Sequence, residues 1–304
     1  MNVLLQDLRY AARQLRKSPG ITILVVLTVA LGIGANTAIF SLVNGFLRPL
    51  RVHAPEQIVV LAAQTKGDET GFEYRFSYPA LEDFRRQADR FSDIFAFNAM
   101  LGGLGADGKT GQVLYSAVTG NYFTALGLRP AAGRLFLPGE GEKSGTELVV
   151  VLGHSYWQKR FGGDPNVAGK QVRLDGKAAR IIGVVPKGFY GLYAGAEMDC
   201  YLPLNALGVR YAEGDGFLTN RGSRPLTVLG RRKPGVSLAE AQSSMDVLAR
   251  RLGEQYPATD KGIAIRVIPE TLARPVPLRF WRTSFPSCGP SCWCFPAWSW
   301  SLPA

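Results

Sequence analysis

Histidine and cysteine are both scarce in this chain: two histidines, His53 and His154, and four cysteines occur among 304 residues. Three of the cysteines, Cys288, Cys292 and Cys294, crowd the end of the chain and leave Cys200 alone in its body. A disulfide framework for the body is thereby excluded, and no two-histidine metal centre is expected. Charged residues are missing altogether from Gly20 to Leu47, and no long low-complexity stretch occurs. With 46% hydrophobic and 19% charged residues, disorder over most of the length is excluded. A mean hydropathy of +0.03 is too low for a polytopic chain. One apolar span beside a large soluble part fits it instead. The net charge of +11, from 35 basic and 24 acidic residues, suits nucleic acid or an anionic membrane face and decides nothing alone.

The charge-free run is almost wholly apolar from Ile21 to Ala35 and milder from Asn36 to Leu47. As a helix it would cover about 40 Å, against a hydrocarbon core of about 30 Å. A cleaved signal peptide is the rival, but some twenty residues precede the run and its apolar character continues past the possible cleavage site near Ala35. An uncleaved transmembrane helix over 20–47 is therefore expected. Arg9, Arg13, Arg16 and Lys17 precede it and only Arg48 and Arg51 follow closely, which places the N-terminus in the cytoplasm and everything after about residue 50 outside. Leu4, Leu8 and Leu15 share one face of the leader, so 1–19 reads as a cytoplasmic amphipathic helix.

Beyond the span, Ile58–Ala63 reads as a strand, and Ser77 with Pro79 opens a helix whose Leu81, Phe84, Ala88 and Phe91 fall on one face. Phe91–Phe97 reads as the next strand. The order recurs near the end: Leu226–Gly230 as strand, a helix from Ser237 closed by Gly253, and Gly262–Pro269 as strand. Ser237 and Glu240 form a capping box, and Leu238, Ala241, Met245, Leu248 and Leu252 step by three and four. Two β-α-β units so far apart predict an α+β fold with a split, ferredoxin-like lobe and a mostly-β lobe inserted at about 100–222. Within that insert, Leu174–Lys177 (LDGK) is an Asp-Gly hairpin signal.

Gly103–Thr110 (GLGADGKT) fits the phosphate-loop pattern letter for letter, yet an alternating strand, Gln112–Val118, follows it instead of a helix. A hairpin at Asp107-Gly108 is the expected structure. Gly153–Trp157 (GHSYW) stands where a nucleophile elbow would, but Trp157 replaces the second glycine, and Ser155 with Gln158 reads as a capping box. Cys288, Cys292 and Cys294 lack the pair spacing of a structural zinc site. Glu82 and Asp83, and Glu140 and Glu142, read as solvated surface. No catalytic, cofactor-binding or metal-ligating residue is assigned, and no enzymatic activity is expected.

Several stretches together resemble one family. Asp7–Leu50 is similar to the first cytoplasmic helix and first span of MacB/FtsX-like ABC transporter permeases, particularly the duplicated orphan permeases of acidobacteria. FSYPALEDFR (Phe76–Arg85), VTGNYFTALGLRPAAGR (Val118–Arg134), SYWQKRFGGDPNVAGKQVRLDGK (Ser155–Lys177), IIGVVPKGF (Ile181–Phe189) and LGRRKPGVSLAEAQ (Leu229–Gln242) resemble that family's periplasmic core domain. The resemblance implies a periplasmic core over 52–272 on a chain anchored in the cell inner membrane. It also implies mechanical work, with a cytoplasmic ABC ATPase, a second permease copy and inner-membrane lipids as partners and no nucleic acid. Gly127, Gly133, Tyr122 and Phe123 would be loop and packing positions. A free-standing bitopic envelope protein that binds a ligand or partner through its outer domain is the alternative, and a hydrolase using Ser155 trails behind both.

The family has further spans after its core, and none can be read here beyond residue 272. Residues 273–304 instead hold three of the four cysteines and four of the five tryptophans, with prolines that break any span-forming helix. An interfacial aromatic tail is one reading of this segment. A frameshift near 280–287 explains it better, because GC-rich Cys, Trp, Ser, Phe and Pro codons become Leu, Val, Ala and Gly codons one nucleotide out of register. The chain is then an incomplete permease copy. Re-reading the gene checks this: an open neighbouring frame encoding several apolar segments is expected, and a frame that closes at once on stop codons refutes it.

Overall fold

The computed structural model describes residues 19–46, 52–65, 75–106, 108–142, 147–193, 196–210 and 216–273. The expected leader helix (1–19, but for its last residue) and the 273–304 tail after Ala273 lie outside them. Two compact units divide the chain, Met1–Arg48 and Pro49–Ala304.

The first unit contributes one helix, α1 (Pro19–Phe46), of 28 residues. Its described large aliphatic side chains between Ile23 and Ile33 are 53% to 75% exposed. Among the described residues no helix is long and apolar enough to cross a membrane. The sequence carries no charge from Gly20 to Leu47.

In the second unit the strands are β1 (Ile58–Thr65), β2 (Phe91–Ala106), β3 (Lys109–Val118), β4 (Ala132–Gly133), β5 (Val149–Leu152), β6 (Gln171–Leu174), β7 (Lys177–Val184), β8 (Cys200–Pro203), β9 (Thr227–Arg232) and β10 (Ile263–Pro269). The principal helices are α2 (Tyr78–Gln87), α3 (Tyr122–Ala125), α4 (His154–Phe161) and α5 (Leu238–Gln255). Four strands lie in the order β10-β1-β9-β2, every neighbouring pair antiparallel. Alternation along β1 divides its side chains between two cores. Val59, Leu61 and Ala63 meet Leu81 and Phe84 of α2 and Met245 and Leu248 of α5. Ile58 and Val60 belong with Phe95, Tyr122, Phe123 and Tyr201 on the other side. Tyr122 and Phe123 are thus packing residues, edge-on to each other at 5.3 Å.

The mostly-β part lies between β2 and β9 in sequence and is continuous with the four-stranded part through β2. β2 runs on for 16 residues instead of ending at Phe97, and its far half pairs with β3 and with β6. The ring closes through β3–β8, β8–β5, β5–β7 and β7–β6, so six strands of the single ten-stranded sheet form a barrel-like closure. The extension contains Gly102, Gly103 and Gly105, a residue type that weakens a strand interior. Close approach accounts for the first of them: a Cβ on Gly102 would meet the Tyr115 ring at 2.5 Å.

Both hairpins fall as expected. Ala106 faces Lys109 across Gly108 (φ +72°), and Leu174 faces Lys177 with Asp175 and Gly176 at φ +45° and +85°. The Ser77 cap and the reciprocal Ser237–Glu240 capping box are present. Three local expectations fail. Gly153, not Ser155, caps α4, without a side-chain bond, because the helix starts two residues early at His154. Leu238 is exposed on α5. α5 passes Gly253 and stops at Gln255, where Tyr256 caps it and also opens a turn at Pro257. Gly253 instead admits the backbone of Asp260, whose carbonyl would lie 3.3 Å from a Cβ there.

Residues 52–272 expressed alone are expected to unfold in one cooperative urea transition. Ser237→Ala should lower that stability by about 1 kcal/mol, read from the midpoint at unchanged slope.

Candidate functional site

Strand register places both ends of the second unit's sheet at one pole. β1 begins at Ile58 and its antiparallel partner β10 ends at Pro269, which faces Val59. The segment leading into β1 and the one leaving β10 therefore emerge side by side. The helical turn Glu270–Ala273 continues from β10, with Ala273 buried beside Ile58 and Val60 and Leu272 exposed.

At this pole Arg231 of β9 is buried, 8% exposed. Its Nε donates to the Ala125 carbonyl at 2.7 Å and its Nη2 to the His53 carbonyl at 2.7 Å. Its Nη1 donates to the Ala54 carbonyl at 3.2 Å and to Gln57 Oε1 at 3.1 Å. Burial lowers the Arg231 pKa from the usual arginine value, against a weaker upward pull from Asp93 and Glu56. The neighbouring Arg232 donates to the Glu56 carbonyl at 3.0 Å, and the His53 N–H donates to the Leu126 carbonyl at 3.1 Å. Gly127, at φ +69°, leaves room for His53, whose Cβ would lie 2.7 Å from any Cβ there. One cation thus gathers the segment before β1, the end of α3 and strand β9.

A second polar centre joins two of the stretches that carry the family resemblance. Arg85 of α2 donates to Glu142 at 2.6 and 3.2 Å, to Glu82 at 2.9 Å, to Asn121 Oδ1 at 2.9 Å and to the Ile94 carbonyl at 3.1 Å. Glu142 also accepts from the Gly120 N–H at 2.8 Å and from the Tyr78 hydroxyl at 3.5 Å. Burial first, and then the charge of Glu142, push the Tyr78 pKa up. On the same helix Asp83, only 2% exposed, accepts from Arg86 and Arg221, both at 2.5 Å. Arg221 continues to Asp260 at 3.3 Å and lies 3.5 Å from the Tyr256 ring centre. Asp83 and Glu142 are therefore not solvated surface. The arginines that bury them stand far off in sequence, or on the same helix without any signal of burial.

The sequence motifs with a chemical look are dispersed. Gly103–Thr110 is the β2–β3 hairpin. Ser155 lies on α4, and the His154 ring packs against Trp157 at 5.4 Å instead of turning to Ser155. Cys200 is fully buried in β8, where burial pushes its thiol pKa well up and keeps it protonated. Among the described residues no group of three or more His, Cys, Asp or Glu side chains could hold a metal ion. A cavity of about 1130 Å³ lies between the second half of α5 and β10, lined by Asp246, Arg250, Glu254, Lys261 and Arg266 among others.

The fold and its pole define a class: a mixed α/β domain held by both ends at one place, with paired charges tying its loops together. Residues 22–248 match the MacB-like periplasmic core domain, and the chain belongs to that family. It carries the periplasmic domain of the MacB/FtsX-type ABC transporter permease family. No curated protein matches it in sequence. A domain of a permease protein from Porphyromonas gingivalis is similar in structure at 14% identity, covering 72% of this chain and 91% of that one with a TM-score of 0.54. The periplasmic region of MacB from Actinobacillus actinomycetemcomitans is similar at 17% identity, covering 81% and 97% with a TM-score of 0.50. The extracellular domain of the noncanonic ABC-type transporter YknZ from Gram-positive bacteria aligns at 18% identity over 69% and 99%, with a TM-score of 0.49. At these identities the likeness is one of fold.

Arg85→Met should cost about 2–3 kcal/mol, because Glu142 keeps its charge in a half-closed site without its cation. Adding Glu142→Gln should restore part of that loss in urea unfolding, and strictly additive costs would show that the two side chains do not act as a pair.

Proposed function

We propose that the second unit is the moving periplasmic part of an export or mechanotransmission permease, anchored in the inner membrane by α1 and driven by a cytoplasmic ABC ATPase. In this reading the leader before α1 meets the ATPase or the inner membrane surface, and a second permease copy completes the assembly. The core binds and transmits; its work is mechanical, without covalent chemistry of its own. We assign β10-β1-β9-β2 with α2 and α5 to a ferredoxin-like lobe, since helices follow β1 and β9 in a split β-α-β order.

The observation that carries the reading is the shared pole. A domain driven from the membrane needs both of its ends there, and β1 and β10 supply that. The exposed aliphatic side chains of α1 support the anchor, because in water such a surface is costly and in lipid it is at home.

A topology experiment tests the anchor. Alkaline phosphatase joined after residue 60 should be active, and a reporter that works only in the cytoplasm should be silent at the same position. The reverse pattern refutes the placement. An ATPase recovered with the full chain, and lost when residues 1–18 are removed, is the expected partner result.

A further inference from the structure

The two segments at the pole are fastened by different physics. Behind the exit, seven residue pairs from Val59↔Pro269 to Thr65↔Ile263 tie β10 to β1. Such a ladder opens only with the sheet. Residues 53–57, by contrast, are held by Arg231, Arg232 and the His53–Leu126 bond. Every acceptor of Arg231 is a neutral oxygen, three carbonyls and one amide, so no carboxylate bonds the guanidinium directly, and the more distant Asp93 and Glu56 offset its lost hydration only in part. The segment also contains a strained residue. Ala54 sits at φ +43°, ψ +64°, the left-handed region that a residue with a Cβ avoids, just before the turn Pro55–Gln57. Such a conformation persists only where its surroundings impose it, and the Ala54 carbonyl is one of the oxygens that Arg231 holds.

We propose that residues 53–57 form a releasable latch, with Arg231 as its positioning residue, so that the incoming side of the pole can swing out while the β10 side stays fixed. Opening returns Arg231 to water and lets Ala54 relax. Closing rebuilds hydrogen bonds to a charged donor. The two states are therefore closely balanced, as a part that moves on command requires. The functional meaning of the latch rests on the permease reading above; its existence does not.

Hydrogen exchange of the full chain in lipid nanodiscs, followed by mass spectrometry, tests it. Arg231→Lys keeps the charge but loses the fork that reaches several oxygens at once. It should raise exchange of the His53 and Gln57 amides about tenfold or more while β1 and β10 change by less than about twofold. Ala54→Gly removes the left-handed strain and should slow exchange of the same segment about threefold. Uniformly faster exchange across β1, β9 and β10 in Arg231→Lys would make Arg231 an ordinary core stabiliser and overturn the latch. If that variant does not fold, Ala54→Gly decides alone: unchanged or faster exchange at 53–57 overturns the proposal. A reporter result against the anchor would leave these rates as they are, so the two readings fail separately.

Discussion

The structure depends on one long strand satisfying two sets of partners. β2 is about three times the usual strand length, and its near half pairs with β9 while its far half joins β6 to close the ring. β3 runs beside it from Val118 to Lys109. Since every backbone N–H and C=O along a buried strand needs a partner, neither part of the sheet can be removed without stranding half of β2. That shared strand is why the four-stranded sheet and the barrel-like closure form one sheet instead of two lobes on a linker.

Around that sheet, arginines tie several loops and helices together. Arg85, Arg221 and Arg231 each bridge elements remote in sequence, through Glu142, Asp83 and backbone carbonyls respectively. The planar guanidinium suits this task because it offers several donors in fixed directions and keeps its charge when half-buried. The three centres differ in how that charge is met. Arg85 and Arg221 have carboxylates and make firm joints. Arg231 bonds only neutral oxygens, and it stands where the chain enters β1.

Much of this was legible from local pattern. The capping box at Ser237–Glu240, the Ser77 cap, the Asp-Gly hairpins and the alternation of β1 depend on neighbours within a few residues, and those neighbours are written in order along the chain. The same local logic read GLGADGKT as a hairpin, which the β2–β3 pairing bears out, and read Ser155 as standing at the start of a helix. The family resemblance lay in stretches such as FSYPALEDFR and LGRRKPGVSLAEAQ, and it holds. Where several local signals competed, as at Ser155 and Gly253, the helix ends moved by a residue or two because tertiary packing chose among nearly equal caps.

The sequence by itself determined the kinds of element, their order and the family, because hydrophobic period and turn chemistry act over short separations. Tertiary structure decided that β2 continues through its glycines, that Asp83 is buried and Glu142 half-buried beneath arginines, and that Arg231 of β9 grips carbonyls at His53 and Ala54 some 180 positions earlier. Those facts come from groups meeting across the fold. A glycine reads as a breaker until a Tyr115 ring needs its space, and an acid reads as surface until a distant arginine covers it. A guanidinium becomes a fastening only when the chain returns to place oxygens around it.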